Sequence, residues 1–405
     1  MVGPPGRPGG AWSGGRFKGQ QSVIAQNLRS IIVVPLVTKG IVIGAVYVDN
    51  PFRAAIFEEK DKEFLQAIAD LATIAIDNAR QYERSEFLLD GFVQACINAI
   101  EQGDPATAGH SVRVEKLTTE IAHAVSEIAV GKYGDVRLTE DQFTELRYAC
   151  LLHDFGRLAV REYIQIKTKK LIPGKLELIQ ARFEAMQWSA QAKYANEKLE
   201  AMRNGKGSSQ RLEDIDRRLG QEIEQLHMWM AAIVQANEPS VLPEDTASIL
   251  EQLSKQTYHD LSGTPHPMLD PQEFRILSIR KGVLDPQERL EMESHVTHSF
   301  EFVNTIPWPL SMRRVPEIVL AHHEKLDGSG YARGLAGDQI PLQTRMLTIA
   351  DIYDALTARD RPYKRAVPTA TVLDILTFEA GEGKLDADPL DVFITKRVYE
   401  VTATR

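Results

Sequence analysis

The pattern of hydrophobic and polar residues near the start of the chain predicts two paired strands and a long helix. Residues 29–36 and 40–50 are rich in β-branched residues and are bounded by turn-forming residues. From Phe57 to Tyr82, apolar residues recur every three or four positions, which is typical of an amphipathic helix. We expect this helix to run on to Asn98 as a connecting rod, and a homodimer through that rod is one expectation.

A second pair of helices is predicted in the middle of the chain. Their apolar stripes recur at spacings of three and four, at Ile179, Phe183, Met186 and Ala190, and then at Leu212, Ile215, Leu219, Ile223, Leu226 and Met230. The glycine-containing run 204–209 predicts the turn between them. We interpret residues 172–285 as a helical-hairpin insertion that lies beside a larger bundle. A regulatory or partner-docking arm is the alternative.

Composition narrows the class of protein. A chain of 405 residues with 43% hydrophobic residues can form more than one domain and a sizeable core. The net charge of −9 argues against binding to nucleic acid polymers, although a small nucleotide can still enter a local basic pocket. The sequence contains no apolar run long enough to span a membrane. Cys96 and Cys150 lie in apolar helical stretches, so we expect reduced core cysteines and a cytoplasmic protein.

Two adjacent histidines, His322 and His323, give the strongest chemical signal. They precede Glu324 and a glycine-rich turn. A buried imidazole needs partners for its ring nitrogens, and a shared metal ion supplies one for both residues. A polar pair at a helix end is the other interpretation.

Three further motifs favour the metal. His153 and Asp154 follow an apolar run that ends at Gly156, and His110 lies upstream after a glycine. Asp351 lies inside an apolar helical run, where a carboxylate without a cation is costly. Separated His and Asp sites of this kind predict one assembled cluster.

The order of these motifs resembles that of the HD superfamily of metal-dependent phosphohydrolases, and more narrowly its HD-GYP branch. The resemblance covers roughly residues 88–380 and rests on residues 109–114, 153–156, 295, 322–331, 351 and 360–364. It implies a mainly α fold with an HD-type helical bundle. It also implies hydrolysis of cyclic di-GMP, a bacterial second messenger, to linear pGpG or GMP by metal-activated water.

The resemblance assigns metal ligands position by position. It implies seven of them, with Asp154 bridging two ions: His110, His153, Asp154, His295, His322, His323 and Asp351. Imidazoles and carboxylates without thiolates suit two divalent transition metals, with iron or manganese expected and zinc an alternative. Some members of the branch hold a third ion with a carboxylate at the position of Ala106, so two ions are expected here. His298 competes with His295 as a ligand, and we favour His295 because it matches the family histidine.

The remaining site residues are basic. Arg361 and Lys364 match family positions that hold substrate phosphate, a natural role for guanidinium and ammonium groups. Arg113 is assigned to substrate binding as well, with support of the site from behind as its alternative. Asp154 and Arg157 are the predicted catalytic residues.

Two residues depart from the family pattern. Lysine is usual at the position of Arg157, and this change bears on activity. Proline is usual at the position of Ala332, and its loss should loosen the Gly-Tyr loop, which is a candidate surface for a signalling protein partner. A non-catalytic cyclic dinucleotide sensor, an HD hydrolase of another nucleotide phosphate ester and a helical adaptor are the alternative functions.

Residues 22–83 resemble the C-terminal half of a GAF domain, a small sensory α/β fold. The predicted organisation is a disordered N-terminus at 1–21, the partial GAF-like segment at 22–83, a connecting helix at 84–100, the phosphohydrolase domain at 101–385 and a C-terminal tail at 386–405.

Overall fold

The computed structural model describes residues 30–53, 56–103, 108–129, 131–260, 263–358 and 366–402. The predicted disorder of residues 1–21 lies outside these ranges, as does Ala106. The chain divides into two compact units, Met1–Phe92 and Val93–Arg405. Helices dominate the described residues, which confirms the predicted mainly α fold. None of the described helices is both long and apolar enough to cross a membrane.

The first unit contains the predicted strand pair. Strand β1 (Ser30–Thr38) pairs antiparallel with β2 (Ile41–Asn50), with an irregular register at Leu36/Val37. Helix α1 (Glu59–Gly103) follows, and the division between the two units falls within it. Alternate residues of β1 pack against this helix, in a small core formed by Ile32, Val34 and Ala69. This is the alternation expected of a strand with one buried face.

The second unit begins with the first helices of a bundle. They are α2 (His110–Ser126), α3 (Glu140–Leu152) and the short α4 (Glu162–Gln165), with a 3-10 turn at Phe155–Ala159. Thr139 and Gln142 form a capping box that fixes the start of α3. Because α3 ends at Leu152, the next two residues, His153 and Asp154, are presented in a tight turn.

The predicted insertion follows as a subdomain with its own core. Helices α5 (Lys175–Arg203) and α6 (Ser209–Ala236) form the expected antiparallel hairpin. Three further kinds of element enlarge it beyond the prediction: α7 (Glu244–Ser254), the strand pair β3 (Thr257–His259) and β4 (Pro265–Pro267), and α8 (Pro271–Leu277). Phe183, Ile233 and Leu250 meet in the core, so the hairpin is packed and not a bare arm.

The bundle resumes after the insertion. Its elements are α9 (Pro286–Glu293), α10 (His295–Val303), α11 (Val315–Ala321), α12 (Leu342–Thr357), α13 (Thr369–Gly381) and α14 (Ala387–Thr395). Helix α2 packs against α3 and α12, and α11 packs against α10 and α3. These contacts bring helix ends from both sides of the insertion together.

The structure corrects the assignment of 386–405 to a tail. Helix α14 and the turn Val398–Thr402 pack against α2, and Phe393 is fully buried. Asp386 accepts hydrogen bonds from Tyr133 at 2.5 Å and from the buried Arg345 at 2.8 Å. The described part of this segment, up to residue 402, therefore belongs to the bundle.

Candidate metal centre

Helix ends place most of the candidate ligands. His110 and His295 are the first residues of α2 and α10, whereas His153 and His322 directly follow α3 and α11. Asp351 differs because it lies inside α12, with its side chain buried against the histidines. All seven predicted ligands meet in one cluster of the second unit, although they are spread over more than 240 positions.

In four of the histidines, the ring nitrogen that faces away from the cluster makes a hydrogen bond to another part of the protein. Nδ1 of His153, His295 and His322 donates to the carbonyl three residues earlier, at 2.7, 2.5 and 2.6 Å. Nδ1 of His110 donates instead to Oδ2 of Asp354, at 2.8 Å. With Nδ1 as the donor, Nε2 of each ring faces the centre of the cluster and carries the lone pair whenever the ring is neutral.

The inner atoms lack any hydrogen-bond partner among the described residues. They are Nε2 of His110, His153, His295 and His322, together with both carboxylate oxygens of Asp154. Buried polar atoms are almost always satisfied in folded proteins, so a group of six inward-facing acceptors calls for a cation. Imidazole and carboxylate donors without thiolates fit a divalent transition metal.

The donors form two groups that share Asp154. On one side, Nε2 of His110 and of His153 lie 3.6 and 3.5 Å from Oδ2 of Asp154. On the other side, Nε2 of His295 lies 3.3 Å from Oδ1 of the same carboxylate. His322 and His323 join His295, with ligand atoms within 4.8 Å of one another. Asp154 therefore places one carboxylate oxygen in each group.

Asp351 lies between the same two groups. Its Oδ1 is 3.2 Å from Nε2 of His110, and its Oδ2 is 3.8 Å from Nδ1 of His323. Burial favours the neutral acid, but the close imidazoles of His110 and His153 outweigh it and hold the pKa of Asp351 well below its usual value. Arg157 and His153 do the same for the pKa of Asp154. Both carboxylates are therefore ionised acceptors.

Protonation differs between the histidines. Burial lowers the pKa of His323 to about 4 and holds the pKa of His322 well below its usual value, so both rings are neutral at pH 7. Burial would also lower the pKa of His110, but the adjacent carboxylates of Asp351 and Asp354 raise it to about 9. A metal ion must therefore displace a proton from His110.

Arg113 supports His110 from behind. Its Nε and Nη2 donate to the two oxygens of Asp354 at 2.7 and 3.0 Å, and Asp354 accepts from His110. The guanidinium thus holds the carboxylate that orients a ligand, as outer partners of metal-bound histidines do. This contact favours the supporting role over substrate binding, which stays a prediction.

Gly156 fixes the position of α10. Its backbone N–H donates to Oγ of Ser299 at 2.8 Å, and a Cβ built at this glycine would lie 2.0 Å from the carbonyl oxygen of His295. Only glycine allows this approach. The predicted catalytic Arg157 is next in the chain, and its Nε lies 2.7 Å from Oδ2 of Asp154, an ion pair by distance without the angle of a hydrogen bond.

Glu324 shapes the Gly-Tyr loop. It is buried, and its two oxygens accept the backbone N–H groups of Arg333 and Leu335 at 2.7 and 3.0 Å. Gly330 comes so close to this segment that a Cβ would lie 2.4 Å from the nitrogen of Lys325. The carboxylate therefore holds the loop.

Other sequence predictions fall outside the cluster. Arg361 and Lys364 lie outside the described residues. His298 is partly exposed and pairs with Glu301, as expected of the competitor that we disfavoured. Sequence reasoning missed Ser299 and the carbonyl acceptors of the histidines. A backbone carbonyl leaves no signal in the sequence, and serine at a helix turn is too common to be one.

Comparisons with known proteins agree with the domain types. Residues 268–388 match the family described as HD domain, and residues 13–76 match the GAF domain. The chain thus carries an HD domain and a GAF segment, which confirms both resemblances. The GAF match begins nine positions before the predicted segment.

The chain is also similar to three curated bacterial phosphodiesterases. It is 30% identical over 201 residues to 3'3'-cGAMP-specific phosphodiesterase 1 of Vibrio cholerae, covering 46% of each chain. It is 39% identical over 97 residues to 3'3'-cGAMP-specific phosphodiesterase 3 of the same organism, 24% of this chain and 20% of that one. It is 40% identical over 94 residues to a cyclic di-GMP phosphodiesterase of Thermotoga maritima, 23% and 25% of the two chains. The chain thus spans less than half the length of these relatives.

Proposed function

We propose that the HD-type domain is a metal-dependent phosphodiesterase that hydrolyses a cyclic dinucleotide. The observation that carries this proposal is the inward-facing set of unpartnered Nε2 atoms around the two oxygens of Asp154. The names of the three relatives support the same reaction class.

The residues of this chain fit two divalent ions. His110, His153 and Asp351 would hold one, His295, His322 and His323 the other, and Asp154 would bridge them. Ions held in this way lower the pKa of a water molecule and neutralise phosphate charge. The protein contributes neutral imidazoles in a fixed tautomer, because the Nδ1 bonds prevent the rings from turning. Asp154 and Asp351 supply the negative charge.

Cyclic di-GMP is the substrate that we propose, with pGpG or GMP as product. The names of the relatives divide between cyclic di-GMP and 3'3'-cGAMP, which differ in one base. Arg157 stands beside the cluster with a partly exposed guanidinium, so it is our candidate for a substrate phosphate contact and for a catalytic role. Arg361 and Lys364 remain proposed phosphate ligands from the sequence.

The test is a metal and turnover measurement on the full chain. The protein is purified without chelators under anaerobic conditions, its iron, manganese and zinc are quantified, and it is given cyclic di-GMP or 3'3'-cGAMP. We expect about two ions per chain and a linear product, with both lost in Asp154→Ala. His298→Ala is the matched control, because it removes an exposed histidine three residues from His295. Folded protein with neither metal nor turnover would end the proposal.

A non-catalytic sensor is the second candidate, and Arg157 favours it. Its guanidinium already neutralises Oδ2 of Asp154, one of the two bridging oxygens. If Arg157 competes with an ion there, the site binds cyclic dinucleotide without turning it over. Arg157→Lys then gains metal and activity. If the protein is instead a phosphodiesterase, the wild type is already active without this substitution.

Two interaction surfaces also stay proposals. A homodimer through the connecting helix would use the C-terminal part of α1, where Phe87 and Leu88 are exposed. A signalling partner at the Gly-Tyr loop would contact the exposed residues Ala332 and Arg333. Phe87→Glu tests the homodimer and should dissociate it. Arg333→Glu tests the Gly-Tyr loop and should abolish partner binding.

A further inference from the structure

Helix α5 of the insertion has two apolar faces, and only one of them is packed. Ile179, Phe183, Met186 and Ala190 are buried against the rest of the insertion. The opposite face points away from that core. It would need no apolar residues if it only met water.

The outer face of α5 nevertheless carries an uninterrupted apolar stripe. Its large members are exposed by 54–71%, and they are Leu178, Trp188, Leu199 and Met202. Its small members are exposed too, and they are Ala181, Ala185, Ala192 and Ala195. The eight positions alternate at spacings of three and four, the repeat of helices that pack side by side. The stripe spans roughly 36 Å at 1.5 Å per residue.

The neighbouring helix shows that this stripe is not a general property of the insertion. The outer face of α6 carries charged residues such as Glu213, Arg217 and Glu224, all exposed. No charged residue interrupts the stripe on α5 from Leu178 to Met202. An exposed apolar surface of this extent marks an interaction site.

We propose that the occupant of this face is α5 of a second copy of the chain, packed antiparallel. The stripe is complementary in size to its own reverse. In the register that sets Trp188 of one copy against Ala192 of the other, Leu199 meets Ala181 and Ala185 meets Ala195. Trp188 and Leu199 thus each face an alanine, whereas Ala185 faces Ala195 and Leu178 faces Met202 in the remaining layers.

Charge supports the same register. The positions that flank an antiparallel seam bring Glu184 of one copy opposite Lys198 of the other, which also pairs with Asp216 of its own chain, and the two-fold axis makes this contact twice. Gln191 meets Gln191 and Ser189 meets Ser189 near the two-fold axis, and the like-charged residues Lys175 and Arg203 meet only at the helix ends. A parallel arrangement in register would set Trp188 against Trp188, which overcrowds the seam. The face therefore fits a second copy in one direction.

The test is the oligomeric state of the full, metal-loaded chain by sedimentation velocity. We expect a dimer at micromolar concentration, and Trp188→Glu should raise its dissociation constant by roughly tenfold or more. Glu184→Lys should weaken it and make it less stable at low salt. Met228→Glu and Glu224→Lys on the outer face of α6 are the matched controls, which should leave the dimer unchanged.

A cross-linking experiment covers variants that fail to fold. Ser189→Cys should form a cross-linked dimer with a short bismaleimide, whereas Met228→Cys should not. The native Cys96 and Cys150 are both buried, so they do not compete. A chain that is monomeric at tens of micromolar would overturn the proposal. So would a dimer that survives Trp188→Glu and dissociates in Phe87→Glu, since that dimer would use α1.

Discussion

Gly156→Ala is the sharpest test of how the two halves of the metal centre are held together. The added Cβ would lie 2.0 Å from the carbonyl oxygen of His295 and 2.4 Å from the backbone nitrogen of Ser299. Both are backbone atoms of α10, so no side-chain rotation relieves the clash. An ordinary contact needs at least about 3 Å, so the turn after Asp154 and the start of α10 must separate by roughly 1 Å.

That displacement has a calculable effect. His295 Nε2 lies 3.3 Å from Oδ1 of Asp154, and Gly156→Ala moves these two groups apart. A misplacement of about 1 Å at a reacting centre costs roughly 100-fold in rate. Overpacking costs about 1–3 kcal/mol of stability. We expect a folded but less stable protein, with metal lost first from the His295 group.

The assay combines bound metal, kcat/KM on cyclic di-GMP and thermal unfolding. Gly220→Ala is the control, because a Cβ at that helical glycine meets nothing within 4 Å. It should keep metal and activity and gain about 0.5–1 kcal/mol from helix propensity. If Gly156→Ala retains two ions and a kcat/KM within threefold of wild type, the close contact does not position His295 and the reasoning is wrong.

Three further predictions concern the support of the site. In direct metal titrations, Asp354→Ala should weaken metal binding by roughly 10–100-fold, and Arg113→Ala should weaken it by less. Equal metal affinity in the wild type and both variants would contradict the supporting role. Because the pKa of His110 is raised to about 9 from 6.5, metal binding at pH 7–8 should release about one proton, and affinity should rise with pH up to 9 and then level off. The same rise in the pKa of His110 stabilises the metal-free fold below pH 6.5, and this stability is lost as pH rises through 9. Calorimetry of metal binding in buffers of different ionisation enthalpy measures the number of protons released, and a value of zero refutes the predicted release. Glu324→Ala should leave bound metal unchanged while it loosens the Gly-Tyr loop, seen as faster amide exchange at Arg333.

The sequence predicted which side chains meet in the cluster, because the resemblance to the HD superfamily assigns them position by position and the motifs themselves are local. His153-Asp154 and His322-His323 each stand at the end of an apolar run, and a helix end directs such residues into a shared centre. The contact between Arg113 and Asp354 could not be deduced in the same way, since 241 positions separate the two residues. Helical spacing alone places Asp354 near Asp351, but its arginine partner depends on the packing of α2 against α12.

Patterns of burial were harder to read than patterns of chemistry. The prediction of a tail at residues 386–405 is wrong for the described part of that segment, since Phe393 and Val398 are buried against the bundle. In α5, two apolar stripes have the same period. Only the packing of the whole insertion decides which stripe faces inward. In the structure, the stripe with Ile179 and Phe183 forms the core, and the stripe that contains the alanines faces outward. Periodicity therefore predicts that a helix is amphipathic, whereas the partner of each face is a property of the whole fold.

The two ends of the insertion, where the chain enters and leaves it, form its root. Contacts within this root explain how His153 and His295 can be 142 positions apart and still share a site. Lys167 holds both oxygens of Glu288 at 2.7–2.8 Å, so the chain entering the insertion is paired with the helix that leaves it. Lys170 is fully buried and donates to the carbonyls of Leu277 and Ile279 at 3.2 and 2.6 Å. With its two ends fixed together, the insertion adds a closed loop to the bundle, and lengthening such a loop changes its closure entropy only slowly. Helix α9 then leads from Glu288 straight to His295, so the ligand position depends on this root and not on the length of chain beyond it.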